Sequence, residues 1–556
     1  MIVANALAML ATGAVIGICL GKREMRTRTK ILVLAGVFSA VLPLNNAQAQ
    51  IIARPVNSEL PIPMGTIEGL RPDRLVIRGG IMVTGRGTPG TGRAAPPEGP
   101  VDIVVENGRI IDIIPIDPVS VASGLSEQAS GDLIIDATGK YVLPGLFDLH
   151  AHVPAIDRAG EDAIAYSFRL WLGHGVTTLR DAGTGAGLQR MSEQRRLSEA
   201  HQIVAPRLRL HKRWPNTGRV GGAGHTPDEA RRLVREFRDQ GADGIKVSHG
   251  PGHYPDVLAA IADEAAELEM DGVMVDLKVS ETDARIASEA GVVSIEHWYG
   301  VPDAALPGTQ NFPTDYNYLD ELVRFRLAGY LWKEAVEYPD ALSDVIDGMI
   351  EEGTAWVPTF QIYEANLDFM RVVTLPWRDR FVHPAILEEW RPQAGVHASF
   401  HSEWKTADEI AWKENYRHWM KWVYEFWSRG GLLGLGSDSG SQQSLYGFGL
   451  VRELELMQQA GIHPLDVIKI ATTNSAKVMG LEEDLCGIRF GCVADLIVVD
   501  GNPIDNFKVL YGGGFAYYGT DREGEGGVVW TIKDGEVFDA QALLREAEWY
   551  VEQGRQ

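Results

Sequence analysis

The feature that most constrains this fold is an alternation of apolar strand-like segments and helical segments that begins at Pro144. Eight apolar segments recur, and several are separated by helical patterns such as TPDEARRLVREFRDQGAD. Eight strands that alternate with helices predict a (β/α)8 barrel of the TIM type, with the parallel strands as its inner ring. The predicted strands end at or near residues 150, 181, 212, 249, 278, 297, 361 and 438.

Segments of a different character flank the predicted barrel. Residues 50–143 contain short strands with a Gly/Pro-rich loop at 85–100, and residues 481–556 return to short strands. Short strands bounded by turn residues are typical of β-sandwiches. We therefore expect both ends of the chain to form one β-sandwich beside a barrel at 144–480.

Two segments of the predicted barrel, 298–354 and 362–431, are longer than ordinary connections, so we expect helical insertions there. The second holds seven of the 14 tryptophans. Aromatic residues recur in it at helical spacing, which predicts a helix packed on the barrel, with a lid over an apolar substrate as the alternative. The stripe consists of Trp412, Tyr416, Trp419, Val423 and Phe426, while Trp422 and Trp298 lie off it and are better placed for a pocket.

The N-terminus carries the pattern of an export signal. From Met25, a basic stretch precedes an apolar run at 31–44, and Ala47-x-Ala49 supplies a cleavage site. We expect residues 1–49 to be this signal, with the true start at Met25. The mature protein would be periplasmic or secreted, without a stable membrane span. A membrane anchor built from residues 2–20 is the alternative.

Charge and cysteine content narrow the classes of partner and fold. The net charge of −23 argues against nucleic acid and against an anionic membrane surface, because both attract Lys and Arg. The three cysteines form no disulfide framework, since Cys19 falls in the predicted signal. Cys486 and Cys492 either pair or stay as thiols. The sequence leaves a homo-oligomer open.

Side chains that can bind a metal occur where predicted strands end. The stretch PGLFDLHAHV places His150 and His152 on the same side of a strand, where two imidazoles can bind one ion. Lys246, His297 and Asp438 end other predicted strands. Catalytic groups of TIM barrels collect at the C-terminal ends of the strands, so we expect these five residues to converge. Singly, each has an ordinary explanation, such as a solvated Lys or a helix-capping Asp.

These stretches resemble the metal-dependent amidohydrolase superfamily, in its prolidase-like and imidazolonepropionase-like branch. The resemblance implies a hydrolase that cleaves a C–N bond with a metal-activated water, acting on a small-molecule amide, a dipeptide-like compound or a cyclic amide. The matching stretches run in order across most of residues 140–505 and include YVLPGLFDLHAHV, GVTTLRDAG, GADGIKVS, AGVVSIEHW, VPTF, GSDSG and GCVADLIVVDGNP.

The resemblance also implies a role for each of the five residues. His150 and His152 would hold one metal ion and His297 a second. Lys246 would bridge both ions as a CO2-derived carbamate, since an ammonium group cannot be a ligand. Asp438 would bind the first ion and act as the general base. Zinc suits imidazole and carboxylate ligands best, with one or two ions bound.

The sequence departs from the family's pattern on the fifth predicted strand, where the family has a metal-binding histidine. The segment here is GVMVDLKVSETD, and the nearest substitute is Asp276, although a shift of one residue would place Leu277 there. Three outcomes stay open: Asp276 completes a second metal site, the enzyme uses one metal, or Lys278 forms an ion pair in place of the second ion. The alternative function is a binding protein or pseudoenzyme with a degenerate metal site, but the other five residues are all retained.

Three further residues are predicted substrate contacts. His225 in GGAGHT and His249 in SHGPGH follow predicted strands, and Trp298 adjoins His297. A polar surface loop is the plainer explanation for both histidines.

Overall fold

The computed structural model describes residues 50–52, 61–125, 128–215, 224–248, 253–277, 282–307, 321–393, 400–441 and 443–556. The predicted export signal at 1–49, the predicted substrate contact His249 and the alternative ion-pair partner Lys278 lie outside these residues. Within the described residues, no helix is both long and apolar enough to cross a membrane.

The strands form two sheets, one in the predicted barrel and one made from the segments that flank it. In chain order they are β1 Gln50–Ile52, β2 Arg74–Met82, β3 Glu98–Glu106, β4 Arg109–Pro115, β5 Leu133–Asp136, β6 Tyr141–Pro144, β7 Leu146–Ala151, β8 Val176–Gly183, β9 Arg207–Arg213, β10 Gly244–Val247, β11 Val273–Val275, β12 Ser294–Glu296, β13 Ala355–Val357, β14 Leu496–Asp500, β15 Gly527–Lys533 and β16 Glu536–Asp539.

Strands β7 to β13 form the wall of the predicted barrel. They pair in parallel and in chain order, so that Lys246 on β10 lies opposite Arg213 on β9 and Met274 on β11. Most of their residues are buried, as expected for parallel strands that are covered on both faces. The carboxyl ends of all seven strands therefore meet at one rim.

The eighth predicted strand, 432–438, closes the ring but is less regular than expected. It makes isolated bridges to β13 at Leu433 and to β7 at Ser439 instead of a continuous ladder. Gly434 and Gly436 explain the close approach, because a Cβ at either position would come within 2.8 Å of a side chain of the neighbouring strands. The backbone N–H of Asp438 donates to the carbonyl of His150 at 2.6 Å. The strand end is thus fixed beside β7.

Helices surround the barrel and fill both insertions. Helix α5 is an example of how the sequence specifies these helices. Thr226 caps its N-terminus, Pro227 follows at the first helical position, and one face of the helix is buried. In chain order the helices are α1 Pro118–Ala122, α2 Ile156–Ala159, α3 Ala163–Gly173, α4 Leu188–Glu199, α5 Pro227–Asp239, α6 Pro255–Glu267, α7 Ala284–Glu289, α8 Val301–Ala305, α9 Glu321–Ala328, α10 Leu331–Ala335, α11 Pro339–Glu351, α12 Phe360–Leu367, α13 Phe369–Val373, α14 Arg378–Phe381, α15 Pro384–Glu389, α16 Thr406–Ser428, α17 Phe448–Gln459, α18 Pro464–Lys469, α19 Ser475–Val478 and α20 Ala540–Arg555.

The second sheet contains nine strands, β1 to β6 and β14 to β16. Strand β14 from the C-terminal segment pairs antiparallel with β6 from the N-terminal segment, with Ile497 opposite Leu143. The sheet has an apolar core of its own that takes residues from both ends, among them Ile77 and Leu496. A barrel flanked by β-structure from both ends of the chain is therefore confirmed.

Cys486 and Cys492, whose pairing the sequence left open, form a disulfide shortly before β14. Their Cα atoms are 5.6 Å apart. The bridge closes a small loop whose Phe490 is 70% exposed, while Cys492 itself is fully buried.

The two insertions are helical, as predicted. Helices α8 to α11 lie between β12 and β13, and α12 to α16 follow β13. Helix α16 carries the aromatic stripe, and all five stripe residues are buried. The stripe therefore packs on the molecule instead of lining an open surface.

Candidate metal centre

Three potential ligands meet at the rim where β7 and the closing segment end. They are His150, His152 and Asp438, called here the first half of the centre. The carboxylate of Asp438 lies 3.0 Å from Nε2 of His152 and 3.9 Å from Nε2 of His150. One ligand atom from each lies within 4.8 Å of the others, so the three can hold one metal ion.

A buried carboxylate fixes the ring of His150. Oε2 of Glu296 accepts a hydrogen bond from Nδ1 of His150 at 2.6 Å, which leaves Nε2 with its lone pair facing Asp438. Oε1 of Glu296 accepts hydrogen bonds from Arg180 at 2.8 Å and from Ser294 at 2.5 Å. Carboxylates behind a histidine in this way set its tautomer and orientation at metal sites.

Sequence reasoning missed Glu296 and Arg180. Both are almost fully buried, with at most 1% of either side chain exposed. A usable signal was present, because each is a charged residue inside an otherwise apolar strand segment, in VVSIEH and GVTTLRD. Buried charges of this kind need a partner, which these two supply for each other.

The residues Lys246, Asp276 and His297 are called here the second half of the centre. Nζ of Lys246 lies 3.0 Å from Nε2 of His150 and is buried. The rings of His150 and His297 are 4.8 Å apart, centroid to centroid. Nε2 of His297 faces Oδ2 of Asp276 at 3.6 Å. The second half therefore lies directly against the first.

A hydroxyl group fixes the ring of His297. Nδ1 of His297 lies 2.6 Å from Oγ1 of Thr359, a residue just past β13. This contact turns Nε2 of His297 toward Asp276. Thr359 lies in the stretch VPTF, one of the stretches that carry the family resemblance.

The structure places Asp276, and not Leu277, toward the centre. The backbone N–H of Asp276 continues the ladder by donating to the carbonyl of Val247 at 2.8 Å. Leu277 points elsewhere and packs against Gly300, where an added Cβ would lie 2.5 Å from its Cδ1. Asp276 therefore faces the centre, while its equivalence to the family's histidine and its role as a ligand stay predictions.

A sequence profile of the amidohydrolase family matches residues 141–366 and 419–529, more than half of the chain. This chain belongs to the amidohydrolase family. The matched ranges contain both halves of the centre. No curated protein sequence matches the chain significantly.

Solved structures share the fold of this amidohydrolase at low sequence identity. A Xaa-Pro dipeptidase with bound methionine is 20% identical, with a TM-score of 0.57 over 84% of this chain and 100% of that one. The bottromycin amidohydrolase is 19% identical, with a TM-score of 0.58 over 87% and 91%. The ochratoxinase of A. niger is 18% identical, with a TM-score of 0.53 over 84% and 96%.

Burial sets the protonation states in this amidohydrolase. It lowers the pKa of His150 well below its ordinary value and also lowers the pKa of His152 and His297. Burial alone would raise the pKa of Asp438, but the hydrogen bond and charge of His152 lower it overall. The centre therefore offers neutral imidazoles and an ionised carboxylate, the forms in which these groups bind metals.

The pKa of Lys246 is lower than that of an ordinary lysine. Burial lowers its pKa to about 8, although the carboxylates of Asp276 and Glu296 act in the opposite direction. A neutral amine fraction at neutral pH is the form that reacts with CO2. The carbamate itself stays a prediction.

Three strand-end residues of the centre have left-handed backbone conformations. The φ angles are 62° for His297, 55° for Thr359 and 53° for Asp438. Such strain costs about 1–3 kcal/mol for each residue and clusters at functional sites. In this protein the backbone strain falls on residues whose side chains belong to the centre or support it.

The predicted substrate contacts fall in different surroundings. His225 lies at the N-terminus of α5, where its backbone N–H donates to Glu229, and its ring is 6.4 Å from that of Tyr254. Trp298 is fully buried and stacks on Tyr299 with a centroid distance of 4.2 Å. Sequence reasoning missed Tyr363, whose ring is 5.5 Å from that of His297. Contact of His225 or Trp298 with substrate stays a prediction.

Proposed function

We propose that this amidohydrolase cleaves the C–N bond of a small amide with a water molecule activated by a divalent metal ion. The convergence of His150, His152 and Asp438 at the barrel rim carries the proposal. Amide hydrolysis as a class agrees with the family and with the named hydrolases that share the fold.

The residues present fit a metal ion. Two neutral imidazoles and one carboxylate form a donor set that zinc accepts, and Glu296 supports one of the imidazoles from behind. Lys246, Asp276 and His297 add a second set of donors if Lys246 is carboxylated. We therefore propose zinc in one or two copies, with Asp276 in the place of the family's histidine.

The metal supplies polarisation of the scissile carbonyl and a lower pKa for the attacking water. The residues of the chain perform the remaining tasks. Asp438, ionised and 3.0 Å from His152, accepts the proton of the attacking water and delivers it to the leaving amine. Glu296 and Thr359 hold the two histidine rings in orientation. The aromatic ring of Tyr363, on α12, lies against the ring of His297 at the centre.

The substrate is proposed to be a small-molecule amide or a dipeptide-like compound. The similar solved structures support this class, since they are a Xaa-Pro dipeptidase, a bottromycin amidohydrolase and an ochratoxinase. The pseudoenzyme alternative has less support, because Asp276 provides a carboxylate where the family's histidine is missing.

An amide panel tests the proposal. Purified protein would be assayed with dipeptides, N-acyl amino acids and cyclic amides, before and after removal of metal and with zinc added back. We expect hydrolysis that is lost with the metal and returns with it. Failure of the zinc-loaded protein to hydrolyse any member of a broad panel would count against the proposal.

We also propose that the protein is exported and that its mature form begins near residue 50. The pattern from Met25 onward supports this, as does the Cys486–Cys492 disulfide, because disulfides persist in oxidising compartments. Intact-mass measurement of the native protein tests it. Retention of residues 25–49 in a soluble cytoplasmic form would contradict export.

A further inference from the structure

Arg213 lies at the end of β9, on the same rim as the centre. It is opposite Lys246 in the ladder, and Nη1 donates to Oγ of Ser248 at 3.0 Å, just past the end of β10. Nη2 donates to the carbonyl of Ala182 at 3.4 Å. The guanidinium therefore spans the space between the ends of β8 and β10.

A glycine makes room for this position. Gly183 has a φ of 125°, and an added Cβ would lie 2.9 Å from Nε and 3.0 Å from Nη2 of Arg213. Any other residue at 183 would displace the guanidinium and would also be strained in this conformation. The backbone at the end of β8 is thus shaped around the charged group.

Arg213 differs from the other arginines of the barrel in having no carboxylate partner. Arg180, Arg207 and Arg209 each pair with an aspartate or glutamate within 2.8 Å. Among the described residues, none places a carboxylate within 4.0 Å of the Arg213 guanidinium. Guanidinium has five N–H donors, and two hydrogen bonds leave donors available for a ligand.

The positive charge of Arg213 reaches the centre. It acts on both His152 and Lys246, lowering the pKa of each, although burial is the larger cause. It also acts to lower the pKa of Asp181, although burial outweighs it and raises that pKa to about 7.

We propose that Arg213 binds a carboxylate of the substrate, so that the site selects amides that carry a free carboxylate over matched neutral amides. The inference rests on the proposed function and names its substrate class. Arginine suits this task because its planar fork matches a carboxylate with two parallel hydrogen bonds. The substrate carboxylate would form an ion pair with the guanidinium of Arg213 at the rim.

The experiment compares each acid with its carboxamide, which has the same shape and no charge. The probes are glycyl-L-phenylalanine, N-acetyl-L-phenylalanine and their C-terminal carboxamides. Zinc-loaded wild type, Arg213→Gln, Arg213→Lys and Lys212→Gln would be assayed for kcat/KM. Lys212→Gln is the matched control, since this neighbouring cation faces Phe237 of α5, 5.9 Å from its ring.

We expect wild type and Lys212→Gln to prefer the acids. Arg213→Gln should lose on the order of 100-fold in kcat/KM for the acids and change little for the carboxamides. Arg213→Lys should fall between the two, because it keeps the charge and loses the fork. An equal loss for acids and carboxamides would indicate a structural role and overturn the proposal, as would an acid preference that survives in Arg213→Gln.

A binding measurement separates this proposal from the proposed function. Calorimetric titration with N-acetyl-L-phenylalanine and its carboxamide reports affinity whether or not the bond is cleaved. If wild type hydrolyses none of the probes but binds the acid more tightly, and Arg213→Gln loses that difference, the carboxylate anchor stands and the hydrolase fails. Equal affinity for acid and carboxamide in wild type would overturn the anchor.

Discussion

The two halves of the candidate centre are held in place by different means. In the first half, His150 is backed by Glu296, which is in turn paired with Arg180 in a fully buried ionic network. In the second half, the hydroxyl of Thr359 backs His297, and the contact of His297 with Asp276 is 3.6 Å, longer than a hydrogen bond. We infer that the first half is formed in advance and that the second half takes its final shape with a ligand. We therefore expect metal to bind more tightly to the first half.

Breaking the first half should have the largest effect. His150→Ala removes a ligand and leaves Glu296 without its histidine, so tight metal binding and amide hydrolysis should both fall to background. Metal analysis and the amide assay measure this. His418→Ala, a change on the partly exposed face of α16, serves as the control and should keep both properties.

Removing Lys246 should abolish activity while leaving one metal ion in the first half. Lys246→Ala cannot form a carbamate, and bicarbonate with a short carboxylic acid should restore part of the activity by supplying the missing carboxylate. The activity assay with and without these additives measures the effect. Full activity of the variant without additives would be incompatible with a bridging carbamate.

Changing Asp276 tests the second half alone. Asp276→Ala should lower the metal content from about two ions to about one, since too few ligands remain for tight four-coordination. Asp276→His should restore the second ion, because imidazole is the better zinc ligand. Native mass spectrometry of the folded variants counts the ions. A single ion in both wild type and Asp276→Ala would favour the one-metal alternative.

Glu296→Gln tests the support behind the first half. The amide keeps the shape but cannot accept hydrogen bonds from both His150 and Arg180 as the carboxylate does. Metal affinity of the first half should fall by about 100-fold, the upper end for changes behind a ligand. A competition assay with a chelator measures the affinity, and an unchanged value would show that Glu296 does not hold His150 in its binding orientation.

Thr359→Val tests the weaker support behind the second half and should have the smallest effect. Loss of the hydroxyl should weaken the second ion by about tenfold and leave the first unchanged. Thr359→Ser is the matched control, since it keeps the hydroxyl and should behave like wild type. Equal weakening by Val and Ser would show that the hydroxyl of Thr359 is not what holds His297 in its orientation.

The barrel could be predicted from the sequence because its strands are apolar segments that alternate with amphipathic helices. The apolar segments at His150, Lys246 and His297 predicted buried parallel strands, and the structure has a strand at each of them. The closing segment was harder to predict, since Gly434 and Gly436 give it close contacts without regular pairing. Local pattern also missed α20, the helix that ends the chain and packs on α3, where Glu546 pairs with Arg169 at 2.6 Å.

Within the centre, the candidate metal ligands could be predicted from the sequence, but the residues that hydrogen-bond to them and orient them could not. His150 and His152 stand out by spacing alone, but Glu296 and Thr359 gain meaning only from the fold that brings distant strands together. The register at Asp276 was ambiguous by one residue in the sequence. A single backbone hydrogen bond to Val247 decides it in the structure.

The most direct test of metal-dependent hydrolysis at this centre is a zinc titration of metal-free protein, with amide hydrolysis as the readout. We expect no hydrolysis without metal and a rise in activity as zinc fills the centre, with His150→Ala staying inactive throughout. Hydrolysis at the full rate by rigorously metal-free wild type, or by zinc-treated His150→Ala, would contradict this expectation.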